Sequence, residues 1–293
     1  MKILISDAFD AALPERLAVF GEVTDDRERL ADVDAVLIRS KTTCNSDYID
    51  RARNLKLIIR GGVGLDNVDC DYARSKGVQV FNTAAASAPA VAELAFALMI
   101  SVPTRLIDGH LGMSEGRWLK SELQRTELFG KTLGLVGAGN IGTELAVRAS
   151  AFGMRVIAFD PPLKGHDRVE LVDFDTLLEA SDFISLHVPL ITETRQMINA
   201  ESISKMKDHV VIVNTSRAGC VNENDLVDAL ESGKVRSYAT DVWSSDPPGA
   251  DCPLLTARNV VMTPHIGAST VENMGRIGDV VISILHDFQQ RTA

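Results

Sequence analysis

The sequence predicts an α/β protein built from two doubly wound parallel sheets. Three observations carry that prediction. The chain has 293 residues, 45% apolar and 24% charged, a soluble globular composition long enough for two domains of about 150 residues. Short apolar runs alternate with helix-length amphipathic segments along its whole length, the pattern of doubly wound α/β proteins. Most of these runs are β-branched without strict alternation, which marks strands covered on both faces. One open sheet seldom holds so many strands, so two sheets of about four and six are expected.

In chain order the strand candidates are Lys2–Ile5, Ala35–Ile38, Leu57–Ile59 and Val78–Phe81, then Thr132–Val136, Arg155–Phe159, Phe183–His187, Val210–Asn214, Ser237–Asp241 and Val260–Thr263. The small residues of Asn82–Pro89 read as a loop and a domain boundary. Ala90 to about Ser101 reads as a strongly apolar helix, broken near Pro103 and resumed toward Trp118. So apolar a helix must be covered on most sides. A bridge between domains that also forms a subunit contact would satisfy this, and so would a core helix within one chain. Ser269 to about Gln289 is amphipathic, and its economical place is back against the first domain. The expected domains are therefore 1–88 with 270–293, and 89–269.

Composition excludes several function classes. Thirty basic and forty acidic side chains give a net charge of −10. That repels nucleic acid and anionic membrane, so neither is an expected partner. No apolar run is expected to reach the roughly 18 residues of a membrane span. Met1–Ile5 meets the acid Asp7 at once and reads as a buried first strand rather than a leader. Cys44, Cys70, Cys220 and Cys252 stand far apart, with no zinc spacing. They read as reduced cytoplasmic thiols, and no metal is expected.

Gly137-Ala138-Gly139-Asn140-Ile141-Gly142 matches G-x-G-x-x-G. It follows a strand, opens a helix running to about Phe152, and precedes a second strand that ends in Asp160, eighteen residues after Gly142. In that context it is a dinucleotide-binding Rossmann fingerprint. Gly137 permits the turn, Gly139 admits the pyrophosphate, and Gly142 lets the helix pack close. The helix N-terminus attracts the phosphates. Asp160 would take the ribose hydroxyls and repel a 2′-phosphate, so the expected cofactor is NAD rather than NADP.

Three later segments stand at strand ends: Asn214–Gly219, Asp241–Pro247 and Thr263–Thr270. Ligand crevices in open α/β sheets lie at the carboxyl ends of strands. Arg217, Asp246 and His265 are therefore expected to converge.

The chain resembles the D-isomer-specific 2-hydroxyacid dehydrogenases. The likeness rests on Arg39-Ser40, Gly62–Asp69, Ala92-Glu93-Leu94, the Gly137 fingerprint, His187–Leu190, Asn214–Gly219 and Pro264–Thr270. It implies an NAD-binding Rossmann domain inserted in a flavodoxin-like substrate domain. It implies Arg217 as the substrate-binding arginine, His265 as the acid/base and Asp246 as its carboxylate partner. The chemistry agrees. Ketone reduction needs a proton donor at the oxygen, and arginine offers a fork for a carboxylate. The family has Glu where Asp246 stands. One methylene less leaves a gap of about 1.5 Å, so a water or a loop shift is expected to bridge it. Asp246 could instead start the turn before Pro247-Pro248.

By the same resemblance, His187, Pro189 and Thr194 line the adenine or pyrophosphate side, although His187 could equally be a buried strand-end histidine. Asp241 holds the nicotinamide carboxamide, and Asn140, Ile141, Thr215, Ser216, Gly267 and Ala268 complete the cofactor site. Backbone N–H groups at Gly62, Val63 and Gly64 form an anion nest. Ser87 stands where the family has an active-site amide. Arg39 and Lys41, with Arg60 as a third contact, are expected to clamp a substrate phosphate; an ordinary solvated pair is the other reading. The implied activity is oxidation of D-3-phosphoglycerate to 3-phosphohydroxypyruvate in serine biosynthesis, by a cytoplasmic homodimer acting on small anionic 2-hydroxy or 2-keto acids. Hydroxypyruvate or glyoxylate reduction, or turnover of another D-2-hydroxy acid, is the alternative. An NAD-sensing, corepressor-like protein is the alternative of a different class; retention of Arg217 and His265 argues against it.

Overall fold

The structure, a computed structural model, describes residues 1–292. Two compact units divide the chain: Met1–Ala88 with the segment from Ala268 onward, and Pro89–Gly267. Each is a parallel sheet wrapped by helices.

The smaller unit holds β1 (Lys2–Ile5), β2 (Glu22–Thr24), β3 (Ala35–Ile38), β4 (Leu57–Arg60) and β5 (Gln79–Asn82). Their spatial order is β2-β1-β3-β4-β5, all parallel. β3 shows how the sequence makes such a sheet. All four of its residues are buried. Ala35 and Leu37 face one core, with Leu13, Leu17, Ile277, Val281 and Leu285. Val36 and Ile38 face the other, with Leu30, Ile49 and Ile58. The strand period of two thus feeds two apolar layers, and no alternation of polar and apolar survives in the sequence. Ile277, Val281 and Leu285 recur every four residues along the helix Val271–Thr292, the apolar stripe of an amphipathic helix.

The larger unit holds β6 (Thr132–Val136), β7 (Arg155–Phe159), β8 (Glu170–Leu171), β9 (Phe183–Leu186), β10 (Val210–Asn214), β11 (Val235–Thr240) and β12 (Val260–Met262). Their order is β12-β11-β10-β9-β6-β7-β8, again parallel throughout. The order reverses at β6/β9 in this sheet and at β1/β3 in the smaller one. These are the topological switch points where open α/β sheets place their ligands.

The sheets therefore have five and seven strands, not four and six. The two additions, β2 and β8, are short edge strands. They carry Glu22 and Glu170 in exposed positions and have no apolar run to announce them.

A second correction concerns residues 82–89, expected to be a loop. The helix starts at Ala84 and runs unbroken to Thr104 through Pro89 and Pro103. Alanine is the best helix former. Pro89 removes the usual helical donor to the Ala85 carbonyl, and Ala85 is exposed, where water can take its place. The next helix, Leu106–Ser114, ends before Trp118.

Joined in this way, Ala84–Thr104 is by length and composition apolar enough to cross a membrane, against the expectation that no run would be. More than half of it is buried in the protein. Ala92, Ala95, Leu98, Met99 and Val102 pack with Leu133, Leu135, Leu145 and Ala149. One side of the helix is therefore core, while Leu94, Phe96 and Ile100 are only partly buried.

Candidate active-site residues at the strand ends

Register decides which residues stand side by side. In the larger sheet Val136 pairs with Phe159 and Leu186, Leu186 with Asn214, Asn214 with Thr240, and Thr240 with Met262. The next residue of each strand falls in one row at the carboxyl edge: Gly137, Asp160, His187, Thr215, Asp241 and Thr263. Adjacent strands lie about 4.8 Å apart, so residues scattered over 127 positions of sequence share one edge.

The glycine turn occupies the switch point. Gly137 has φ +97°, in the region that favours glycine, and its N–H donates to the Phe159 carbonyl at 2.9 Å. A Cβ on Gly142 would stand 2.3 Å from the Gly137 carbonyl oxygen. Packing within the turn therefore requires both glycines. Gly139 is different: a Cβ there would meet no protein atom within 4 Å. Its φ of −70° suits any residue. It caps the helix Asn140–Ala151 with no side-chain hydrogen bond to the first turn. The protein leaves space and helix-end donors at Gly139, which fits a phosphate group. Asn140 is exposed and Ile141 half-buried beside it. Asp160 closes the turn from the next strand, accepting the Ala138 N–H at 2.8 Å. A cavity of about 430 Å³ opens beside it, lined by Phe159, Asp160, Pro161, Leu163, Leu171, Val172, Asp173 and Thr176. Its mixture of apolar wall and carboxylates suits the adenosine end of NAD.

His187 stands behind this turn. Its Nε2 meets the Ser185 hydroxyl at 2.9 Å, and its Nδ1 is buried without a partner. Burial pushes its pKa down to about 4, so the ring is neutral at physiological pH. Thr194 closes a turn of its own, accepting from the Ile191 N–H and donating to the carbonyl of Pro189, itself exposed.

Asn214 organises the next loop. Its Oδ1 accepts from the Ser216 N–H at 3.0 Å and the Ser216 hydroxyl at 2.9 Å. Its Nδ2 donates to the Arg217 carbonyl at 3.0 Å and the Tyr238 hydroxyl at 3.1 Å. Arg217, half-buried, is thus held by its own backbone. The Thr215 hydroxyl is buried without a partner.

Asp241 anchors a further loop. It is 2% exposed. It accepts from the Thr263 hydroxyl at 2.7 Å and from the N–H groups of Ile266 and Gly267, each at 2.8 Å. Both carboxylate oxygens are committed to the loop that carries His265. Trp243 adds an indole N–H to the Thr263 carbonyl at 3.0 Å. His265 itself has φ +55°, a backbone state uncommon for a side chain of this kind, and these bonds flank it on both sides. Its Nδ1 lies 2.5 Å from Asp246 Oδ2. No water or loop shift is needed, so the shorter carboxylate reaches the ring directly. Both side chains remain accessible, at 42% and 49%.

In the smaller unit the register aligns Ile38 with Arg60 and Arg60 with Asn82. Arg39, Gly61 and Thr83 then follow at one edge. Arg39 is half-buried and Lys41 exposed. Burial draws the Arg39 guanidinium below its ordinary pKa, while the charge of Asp7 works the other way; it stays protonated. The Arg60 guanidinium lies over Gly62, where a Cβ would stand 1.6 Å from Nη1. The expected anion nest is incomplete, because the Gly62 N–H donates to the buried Thr83 hydroxyl at 2.8 Å. Val63 and Gly64 are partly accessible. Ser87 is fully buried and accepts from Asn273 Nδ2 at 3.2 Å; the same amide donates to the Ala268 carbonyl at 2.7 Å. Ser87 therefore points into its own unit. Among the described residues no cluster of metal-ligating side chains forms.

Comparison with known proteins places this arrangement. The family model described as "D-isomer specific 2-hydroxyacid dehydrogenase, NAD binding domain" matches residues 96–267, which span the whole row from Gly137 to Thr263 and His265 beyond it. The chain belongs to that family. It is 50% identical over 252 residues to a hydroxypyruvate reductase of Thermotoga maritima, covering 85% of this chain and 82% of that protein. It is 40% identical over 294 residues to a D-3-phosphoglycerate dehydrogenase of Methanocaldococcus jannaschii, covering 96% of this chain and 56% of that protein. The chain thus spans about half the length of the phosphoglycerate dehydrogenases it matches. A glyoxylate reductase from Paecilomyes thermophila superposes with a TM-score of 0.89 at 31% identity, covering 98% of this chain and 94% of that one. A D-lactate dehydrogenase from Aquifex aeolicus, complexed with NAD and lactic acid, superposes with a TM-score of 0.87 at 28% identity, covering 99% and 96%. The family consists of oxidoreductases acting on small 2-hydroxy and 2-keto acids, and this 2-hydroxyacid dehydrogenase carries its NAD-binding domain.

The second and third glycines of the fingerprint should separate binding from stability. Gly142→Ala meets backbone and should lower the thermal midpoint measured by circular dichroism. Gly139→Ala meets no protein atom and should leave that midpoint within about 1 °C, because an unstrained change in open space alters stability little. It should instead weaken NADH binding in a fluorescence titration by tenfold or more.

Proposed function

We propose that this dehydrogenase oxidises D-3-phosphoglycerate to 3-phosphohydroxypyruvate with NAD. The observation that carries the reading is the turn bearing Arg39 and Lys41. In a chain of net charge −10, a doubly charged phosphate needs local cations, and this turn offers a half-buried guanidinium and an exposed ammonium. Arg60 is the third contact. The planar guanidinium of Arg217 takes the substrate carboxylate.

His265 is the acid/base. With Asp246 on Nδ1, that nitrogen carries a hydrogen and Nε2 is left to exchange the substrate proton. In oxidation the C2–H bond breaks with its electron pair, and the hydroxyl proton passes to His265 as the ketone forms. NAD, when bound, is the acceptor of that electron pair. Gly139, the helix N-terminus and Asp160 would hold its phosphates and adenosine ribose. The neutral ring of His187 adds no charge beside the phosphates. Asp241 keeps the loop of His265 in place.

A second reading, reduction of unphosphorylated hydroxypyruvate, is favoured by the 50% identity to the Thermotoga maritima protein of that name. Arg39→Gln decides between them. It should lower kcat/KM for 3-phosphohydroxypyruvate about tenfold or more, since a charged hydrogen bond is worth roughly 1.5–3 kcal/mol. Hydroxypyruvate turnover should be nearly unchanged. Equal losses on both substrates would move the assignment to the unphosphorylated acid.

Asp246→Asn tests the acid/base pair. It should lower kcat for ketone reduction by about 10²-fold or more, within the range for general acid catalysis, with the dissociation constant of NADH held. An unchanged kcat would leave Asp246 as a turn residue.

We also propose a homodimer, supported by exposed apolar residues just beyond the helix Ala84–Thr104. Leu106 is 65% and Trp118 72% exposed, with Ile107, Leu111 and Met113 exposed between them. Large apolar side chains left exposed together along one short segment call for a partner, and a second copy is the simplest one. Light scattering at micromolar concentration should give about twice the chain mass of 31.7 kDa. The double variant Leu111→Glu, Trp118→Glu should give the chain mass itself.

A further inference from the structure

Asp7 has no place in the chemistry above, yet it is the most heavily committed side chain at the edge of the smaller sheet. It follows β1, which adjoins β3 at the switch point of that sheet. The Asp7 side chain is 2% exposed. Its Oδ2 accepts the N–H of Arg39 at 2.6 Å and the N–H of Thr42 at 3.1 Å, and its Oδ1 accepts the Thr42 hydroxyl at 2.7 Å. Arg27 supplies the countercharge at 3.6 Å and donates to the Ser6 carbonyl at 2.5 Å. From the opposite side Asn67 Nδ2 donates to the carbonyls of Arg39 at 2.7 Å and Thr42 at 2.6 Å.

The four-residue turn Arg39–Thr42 is therefore gripped at both ends, its N–H groups by a carboxylate and its carbonyls by an amide. Ser40 and Lys41 in the middle are exposed. The Arg39 guanidinium reaches only a long contact with the Ala8 carbonyl, 3.5 Å away. Backbone fixed and guanidinium lightly held is the state of a donor prepared for an anion, because little entropy remains to be lost on binding. The buried carboxylate is spent on backbone N–H groups. It does not pair with the guanidinium, where it would compete with that anion.

We infer that Asp7 is the positioning residue of the phosphate-binding turn, setting through the backbone of Arg39–Thr42 the place from which Arg39 and Lys41 take a substrate phosphate. This rests on the phosphate reading of Arg39 given above. Asn67 is the second half of the same clamp.

Asp7→Ala, Asp7→Asn, Thr42→Val and Arg39→Gln test it, each assayed with 3-phosphohydroxypyruvate and with hydroxypyruvate, alongside amide hydrogen exchange of the free protein. Asp7→Ala should raise KM for the phosphorylated substrate at least tenfold, with kcat and KM for NADH within about threefold. Exchange should quicken at the Arg39 and Thr42 amides and stay unchanged in β3. Asp7→Asn keeps one oxygen able to accept both N–H groups, so it should restore most of the lost KM. If Asp7→Ala does not fold, Thr42→Val, which removes the hydroxyl's bonds to Asp7 Oδ1 and to Ser6 and keeps the Thr42 N–H bond, should still raise that KM about threefold. Faster exchange with unchanged KM, or equal KM losses on both substrates, overturns the inference. So does an Asp7→Asn as impaired as Asp7→Ala. Arg39→Gln separates the two levels: a selective loss there with Asp7→Ala silent overturns the clamp alone, whereas no selective loss from Arg39→Gln overturns the phosphate reading itself.

Discussion

Parallel strands end by releasing a loop whose first N–H groups have left the ladder, and in this protein a polar side chain on a neighbouring strand end takes them. Asp7 accepts from Arg39 and Thr42, Asp160 from Ala138, and Asp241 from Ile266 and Gly267. Asn214 does the same within its own loop, accepting from Ser216. A buried N–H without an acceptor costs about 1–3 kcal/mol, so each loop has a strong reason to stay where its acceptor stands. Arg39, the glycine turn, Arg217 and His265 all sit on loops held in this way. The chemistry is carried by residues that are partly accessible, while Asp7, Asn214 and Asp241, which place three of these loops, are buried.

This division explains what the sequence disclosed. The interior strands were legible because burial on both faces writes an uninterrupted apolar run. β1, β3, β6, β7 and β10 have the expected boundaries to the residue. The fingerprint was legible because two of its glycines are demanded by the backbone and the third by a ligand. The edge strands β2 and β8 were not, since an edge of two or three residues buries too little to leave a pattern. Nor was the start of the helix at Ala84. Small residues and a proline usually mark a loop, and the alanine run prevailed because the exposed Ala85 could do without its helical donor.

The supporting side chains were harder to read than the reactive ones. Asp241 lies within a strand-end segment noticed for other reasons, and nothing local marks it as an acceptor for a loop 25 residues further on. Asp7 left one trace, an acid placed directly after an apolar strand. Its partners, 32 and 35 residues away, are brought to it only by the β1/β3 pairing. Asp246 was legible as a carboxylate, but its reach was not. A length argument drawn from a methylene count misses the loop path, which here brings it to His265 Nδ1 directly.

One irregularity in the larger sheet has a consequence of its own. Val210 pairs with Val235, but Val211 pairs with Ser237, so β11 carries one extra residue against β10 at its amino end. Beyond that point the register runs without interruption to Asn214 and Thr240. The slack lies at the end remote from the functional row. The two rims of the sheet thus answer to different rules. At one rim an added or lost residue can be absorbed as a local bulge, leaving every downstream neighbour in place. At the other, where Gly137, Asp160, His187, Thr215, Asp241 and Thr263 stand abreast, the same change would slide one member out of line with the rest. Variation in length is therefore cheap on the amino rim and forbidden on the carboxyl rim, and the sheet acts as a ruler graduated at only one end.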